Sequence, residues 1–246
     1  MIILFDVGNT NIAIGIAKDN QIKEVYRINT QPVVTPDEYF LIFSKFINPS
    51  DVKGIAIASV VPDVTTSFKI MAKKLYGINP LIIESGIKTG LFIKTDYPQE
   101  VGADLICAAV ALDSNEPTII VDLGTANKYI YVENNTLLGV VISPGIVISM
   151  KALVGGTALL PHVEITVPKN VLGTNTIECM QSGITYGLAA EVEGLIERIS
   201  AELKKSLRII ITGGLSKMIT PLLNIKGEVY YNLVLEGLLK IYNKNR

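Results

Sequence analysis

Asp6-Val7-Gly8-Asn9-Thr10-Asn11 follows an apolar run, Ile2 to Phe5, and combines the residue types that can handle a phosphate. Gly8 lets the backbone come close to an anion, the turn amides and the Asn9, Thr10 and Asn11 side chains can donate, and Asp6 can hold a hydrated Mg²⁺. Asp, Gly and Asn are also what any hairpin turn needs, so a single turn of this kind decides nothing. The pattern returns, however: Asp122-Leu123-Gly124-Thr125-Ala126-Asn127 follows Thr118 to Val121, with an offset of 116 residues between Asp6 and Asp122. A third carboxylate, Asp104, opens the apolar run Leu105 to Leu112, where it would be costly without a partner. It reads either as a helix N-cap or as a working acid or base. The two commonest phosphate loops are absent, since no Gly is followed directly by Lys and no two glycines are separated by one residue.

The elements that must position these residues repeat as well. Each Asp-x-Gly turn joins an apolar strand to a second strand, Ile12 to Ala17 or Tyr129 to Val132, followed by an Asn-containing turn at Asp19-Asn20 or Asn134-Asn135. Thr35-Pro36-Asp37-Glu38 carries a capping box with proline in the first turn and predicts a helix through Ile47. Further expected elements are a strand at Gly54 to Val60, a helix at Val64 to Tyr76 ended by Gly77, a strand at Leu81 to Ile83 and a helix at about Val101 to Leu112. Polar Asp113-Ser114-Asn115-Glu116-Pro117 marks a boundary, dividing the chain into domains 1–114 and 115–246. In the second half, Ile177 to Lys204 reads as a helix despite Gly183, Gly187 and Gly194, which imply close packing against another helix, within the subunit or across a dimer. A strand at Leu207 to Ile211, a turn at Thr212-Gly213-Gly214 and a helix at Val234 to Tyr242 complete it.

Composition bounds the partners. The 246 residues are 49% hydrophobic and 18% charged, with mean hydropathy +0.41, enough apolar material for a core. With 22 Lys and Arg against 23 Asp and Glu, the net charge of −1 gives no general attraction to nucleic acid or anionic lipid. The apolar runs are too short to span a bilayer, and Met1 to Phe5 has no basic flank or cleavage site, so no membrane segment or signal peptide is expected and the location is read as cytoplasmic. Cys107 and Cys179 read as two small core residues rather than a disulfide. The single histidine, His162, has no catalytic or metal constellation around it, and Lys204-Lys205 suits a helix end without any partner.

Duplicated Asp-x-Gly hairpins resemble the nucleotide clamp of the actin-like ATPase superfamily. Within it, the chain resembles the type III pantothenate kinases nearly end to end. The resemblance rests on Asp6 to Asn11, Ala58-Ser59-Val60-Val61-Pro62, Tyr97-Pro98, Val101-Gly102-Ala103-Asp104, Asp122 to Ala126 and Ser143-Pro144-Gly145. It continues through Leu160-Pro161, Gly173-Thr174-Asn175-Thr176, Met180 to Ile184, Thr212-Gly213-Gly214 and Leu235-Glu236-Gly237-Leu238. It implies an α/β fold of two duplicated ribonuclease H-like domains with a nucleotide cleft between them, and an enzyme that uses ATP to phosphorylate pantothenate at its terminal hydroxyl, the entry step to coenzyme A. By matching position it implies that Asp6, Val7, Gly8, Asn9, Thr10, Asn11, Ile12 and Ala13 bind the ATP phosphates and Mg²⁺, with Thr125 a second nucleotide contact. Asp104 would be the general base, and Tyr97, Gly102, Ala103, Asp104 and Leu105 would line the pantothenate site. Asp122 would hold a monovalent cation, K⁺ or NH₄⁺, and Thr176 would reach substrate across a homodimer.

Two positions depart from the family pattern. Leu105 stands where the family has Arg, removing a charged fork worth about 1.5–3 kcal/mol to an anionic substrate. That leaves two rival expectations: a catalytically weakened, nucleotide-binding regulatory homologue, or a kinase of another small hydroxylated substrate. Lys128 stands where the family has a neutral hydroxyl. Either its ammonium points inward and supplies the charge of the monovalent cation, or it is a solvent-facing lysine on a hairpin strand.

Overall fold

A computed structural model describes residues 1–31, 33–45, 47–112 and 115–246. Asp113 and Ser114, where the sequence boundary falls, lie outside the described residues, as does Phe46. The chain forms two compact units. One comprises Met1–Asp113, Asn135–Leu137 and Asn232–Arg246; the other Ser114–Asn134 and Leu138–Tyr231.

The first unit begins with three strands in succession, β1 (Ile2–Val7), β2 (Asn11–Lys18) and β3 (Gln21–Asn29), followed by α1 (Pro36–Ser44), β4 (Gly54–Ser59), α2 (Pro62–Tyr76), β5 (Leu81–Ile82), β6 (Phe92–Ile93) and α3 (Ala103–Ala111). Its sheet order is β3-β2-β1-β4-β5, with β2 antiparallel and β4 parallel to β1. The second unit carries β7 (Thr118–Leu123), β8 (Ala126–Glu133), β9 (Thr136–Pro144), α4 (Ile146–Gly155), α5 (Thr176–Leu203), β10 (Arg208–Thr212), α6 (Ser216–Ile219) and β11 (Glu228–Val229). Its strands run β9-β8-β7-β10-β11, the same order as in the first unit, again with β8 antiparallel and β10 parallel to β7. Thr136 and Leu137, at the start of β9, group with the first unit and pair with β6. The final helix, α7 (Leu233–Lys244), also packs on the first unit, whereas the division at 114 places it in the second half.

Local chemistry explains the repeated hairpins. Asp19-Asn20 and Asn134-Asn135 all adopt positive φ, the two-residue turn that matches strand twist and favours Asn and Asp. Strand alternation then sorts the core. Ile3, Phe5 and Val7 face α1 and α2, where Phe5, Phe43 and Phe68 meet at ring-centroid distances of 4.6–5.7 Å. Ile2 and Leu4 face α3 and α7, with Cys107, Leu235 and Leu238. Asp6 continues that second series.

The capping box at Thr35 and Glu38 forms, and its bond to the Thr35 amide holds the Glu38 carboxyl below the usual range. The helix it starts ends at Ser44, short of Ile47. Cys107 is a buried core thiol, but Cys179 is exposed and both are free, which corrects the expectation of two core cysteines. Lys205, just past the end of α5, bonds both oxygens of Glu133 at 2.6 Å. His162 is exposed. Among the described residues no helix is long and apolar enough to cross a membrane.

Candidate active site

In the first unit the chemistry-bearing residues collect at the C-terminal ends of β1 and β4, the edge where open α/β sheets bind ligands. Asp6, next to the end of β1, lies on the face that carries α3, opposite Ala13 across the ladder to β2. The turn beyond it closes through the Gly8 amide, which donates to Asn11 O at 3.0 Å, while Thr30 Oγ1 donates to Gly8 O at 2.6 Å. Val7 and Ile12 are buried apolar side chains, so only their backbones can serve a ligand. Asn9, Thr10 and Asn11 are exposed.

Asp104 lies in the first turn of α3, and the cap residue is Gly102, not Asp104. The N-cap alternative is thereby removed. Asp104 Oδ1 accepts the Leu105 amide at 2.9 Å, at the positive end of the helix. Gly102 sits beside Val60, just past β4, and the Val60 amide donates to Val7 O at 3.1 Å, which ties this corner to the end of β1. Burial first, then the charges of Asp6 and Asp104, push the Cys107 thiol well above its ordinary value. Tyr97 is 62% exposed and available to a ligand, Ala103 is buried, and Leu105 is only 8% exposed. A leucine so placed cannot do the work of an arginine fork.

In the second unit Asp122 holds the equivalent strand end. Its turn is crossed closely by backbone: a Cβ on Gly145 would lie 2.3 Å from Gly124 O, and one on Gly213, itself at φ +94°, 2.4 Å from Leu123 O. These are the glycines of Ser143-Pro144-Gly145 and Thr212-Gly213-Gly214, so both motifs wrap the turn that contains Thr125. Lys128 pairs directly with Asp122 Oδ2 at 2.8 Å, which excludes the solvent-facing alternative. Sequence reasoning missed the support beneath. Fully buried Asn127 donates to Pro144 O at 3.2 Å, and Tyr129 and Ser143 both donate to Glu191 Oε1, at 2.8 and 2.5 Å. Burial, then Glu191, raises the Tyr129 phenol far above its ordinary value, so it stays a donor. Thr176 is exposed at the start of α5, on an open groove of about 850 Å³ shared with Ser149, Leu160, Cys179 and Gly183.

Comparison with known proteins decides the family. The sequence profile described as "Type III pantothenate kinase" matches residues 2–198. A type III pantothenate kinase of Acholeplasma laidlawii is 49% identical over 245 residues, covering 100% of this chain and 99% of that protein. The chain belongs to the type III pantothenate kinases. Solved structures agree on the fold: a conserved Baf family protein from Campylobacter jejuni has a TM-score of 0.64 at 20% identity, covering 99% of this chain and 98% of its own. The activator of 2-hydroxyisocaproyl-CoA dehydratase from Clostridium difficile, solved with ADPNP, has a TM-score of 0.56 at 15% identity, covering 98% and 93%. The type III pantothenate kinase chain thus has the expected class, two ribonuclease H-like α/β units of the actin-like ATPase and sugar kinase fold.

Proposed function

We propose that the corner formed by Asp6, Gly102 and Asp104 is where this enzyme transfers phosphate. Membership of the family carries the reaction itself: ATP-dependent phosphorylation of pantothenate to 4'-phosphopantothenate, the first step of coenzyme A synthesis. The observation that supports the residue roles is the Val60 amide bond to Val7 O at 3.1 Å with Gly102 beside Val60, which is consistent with the first turn of α3 and the end of β1 serving one site.

The donor set suits Mg²⁺, which keeps several waters and takes one or two carboxylates besides phosphate oxygens. Asp6 would hold it, where it offsets charge on the transferring phosphoryl group. Gly8 to Asn11 present backbone and side-chain donors to the phosphates, and Thr125 contributes from the second turn. Asp104 accepts the proton of the pantothenate hydroxyl, a role worth typically about 10²–10⁴-fold. Phosphoryl transfer needs little covalent help from the protein beyond such positioning. Tyr97 and the backbone of Gly102-Ala103 flank the acceptor, and buried Leu105 adds bulk rather than a charge.

The enzyme acts in the cytoplasm as a homodimer in this proposal, with Thr176 reaching the partner's substrate. Two features support a second copy. Ile142, Ile148, Leu159, Leu172 and Ile177 of the second unit are all at least 42% exposed. A Cβ on Gly183, Gly187 or Gly194 would meet nothing within 4 Å, so packing inside the subunit does not account for these glycines. Incubating purified protein with Mg-ATP and pantothenate tests the function: phosphopantothenate is expected, ATP binding without product would favour the regulatory reading, and turnover only with another hydroxylated acceptor would replace the substrate.

A further inference from the structure

The two Asp-x-Gly turns occupy the same strand end in the two units, yet differ in what faces the carboxylate. Across the hairpin Asp6 is opposite Ala13, and Asp122 is opposite Lys128. The Lys128 ammonium lies 2.8 Å from Asp122 Oδ2, with the two side chains only 20% and 14% exposed. The other oxygen, Oδ1, stands 2.6 Å from where a Cβ on Gly213 would be and 3.6 Å from that on Gly124. Backbone at Gly213 approaches this carboxylate closely, and it is already paired with a full positive charge. A potassium or ammonium ion, which the family resemblance implies at Asp122, would sit on a carboxylate already paired with an ammonium, against a like charge in a mostly buried space. The residues present do not fit the ion.

We infer that Lys128 is the built-in monovalent cation of the second nucleotide turn, so that this kinase needs neither potassium nor ammonium. The inference rests on the kinase reading and concerns a positioning residue: Lys128 acts by neutralising Asp122 and so holding the turn that contains Thr125. A tethered cation has no dissociation equilibrium, so the turn keeps its charge whatever the ionic surroundings.

The test measures kcat and KM for ATP with tetramethylammonium as the sole monovalent cation, then with potassium or ammonium added. Wild-type rates should hardly change on addition; turnover that appears only with either ion would overturn the inference. Lys128→Ala should lose roughly 10- to 100-fold in kcat/KM for ATP in tetramethylammonium and recover with ammonium or potassium. Wild-type values for that variant without added ion would equally overturn it. Lys128→Arg should remain independent of added ions, and a requirement for them in it would count against the tethered charge. Potassium should also raise the melting midpoint of Lys128→Ala and leave that of the wild type unmoved, a readout that needs no turnover. The same rise in both proteins would overturn the inference, and absence of phosphopantothenate in every buffer would instead remove the kinase reading.

Discussion

At the residue scale, three carboxylates lie in different surroundings. Asp6 and Asp104 bear on the same buried thiol, and Asp122 is matched by a lysine. The Asp6 assignment predicts that Asp6→Asn weakens binding of Mg-ATP more than of metal-free ATP, by roughly tenfold or more, as losing a charged metal ligand should. Calorimetric titration with and without Mg²⁺ checks this, and equal losses in both would place the ion elsewhere. These positions were readable in the chain because an Asp-x-Gly repeat is rare enough to notice twice. The direction of Lys128 was also within reach, since the hairpin register sets it directly opposite Asp122, but strand register was not part of the reading. Glu191 was beyond reach: its bonds to Tyr129 and Ser143 span 62 and 48 residues, and no local pattern announces them.

At the scale of elements, α3 carries Asp104, the proposed base, and α7 holds α3. The contact is close: a Cβ on Gly237 would fall 1.8 Å from the Cys107 carbonyl oxygen. Gly237→Ala should therefore force α3 and α7 apart at a cost of about 1–3 kcal/mol. For a chain of this size that is a fall of about 2–12 °C in melting midpoint by calorimetry, and an unchanged midpoint would contradict the packing. The helix starts and stops that were legible were those with a chemical signature, such as the Thr35 cap and Gly77 at the end of α2. The strands β3 and β9 and the helix α4 went unread. Half-exposed β3 alternates weakly, and the apolar residues of β9 and α4 lie largely on the surface, so burial does not impose a clear period on either. Arg208 and Glu228 pin the edge pair β10 and β11, the bond from Arg208 holding the Glu228 carboxyl below its usual range. That contribution is present above the ordinary glutamate pKa and is lost as pH falls through the lowered one. Hydrogen exchange on Tyr230, whose amide donates to Ile211 O, should accelerate in acid relative to the β7–β8 ladder.

For the whole molecule, duplication was plain from the 116-residue offset, and the matching strand orders give it structural form. The grouping of α7 with the first unit was not, because only tertiary contacts tell which core a terminal amphipathic helix joins. The glycine face of α5 belongs to this scale as well. Gly187→Leu meets open space within the subunit, so the fold should survive while dimerisation weakens, which sedimentation equilibrium together with circular dichroism reads; a full-strength dimer would remove α5 from the interface. The central claim is that phosphate moves from ATP to pantothenate at a corner where Asp104 takes the proton. Its most direct test is single-turnover formation of phosphopantothenate by Asp104→Asn, with ATP affinity measured on the same protein. The account predicts ATP binding close to wild type and a rate lower by about 10²–10⁴-fold; a near-normal rate would contradict it.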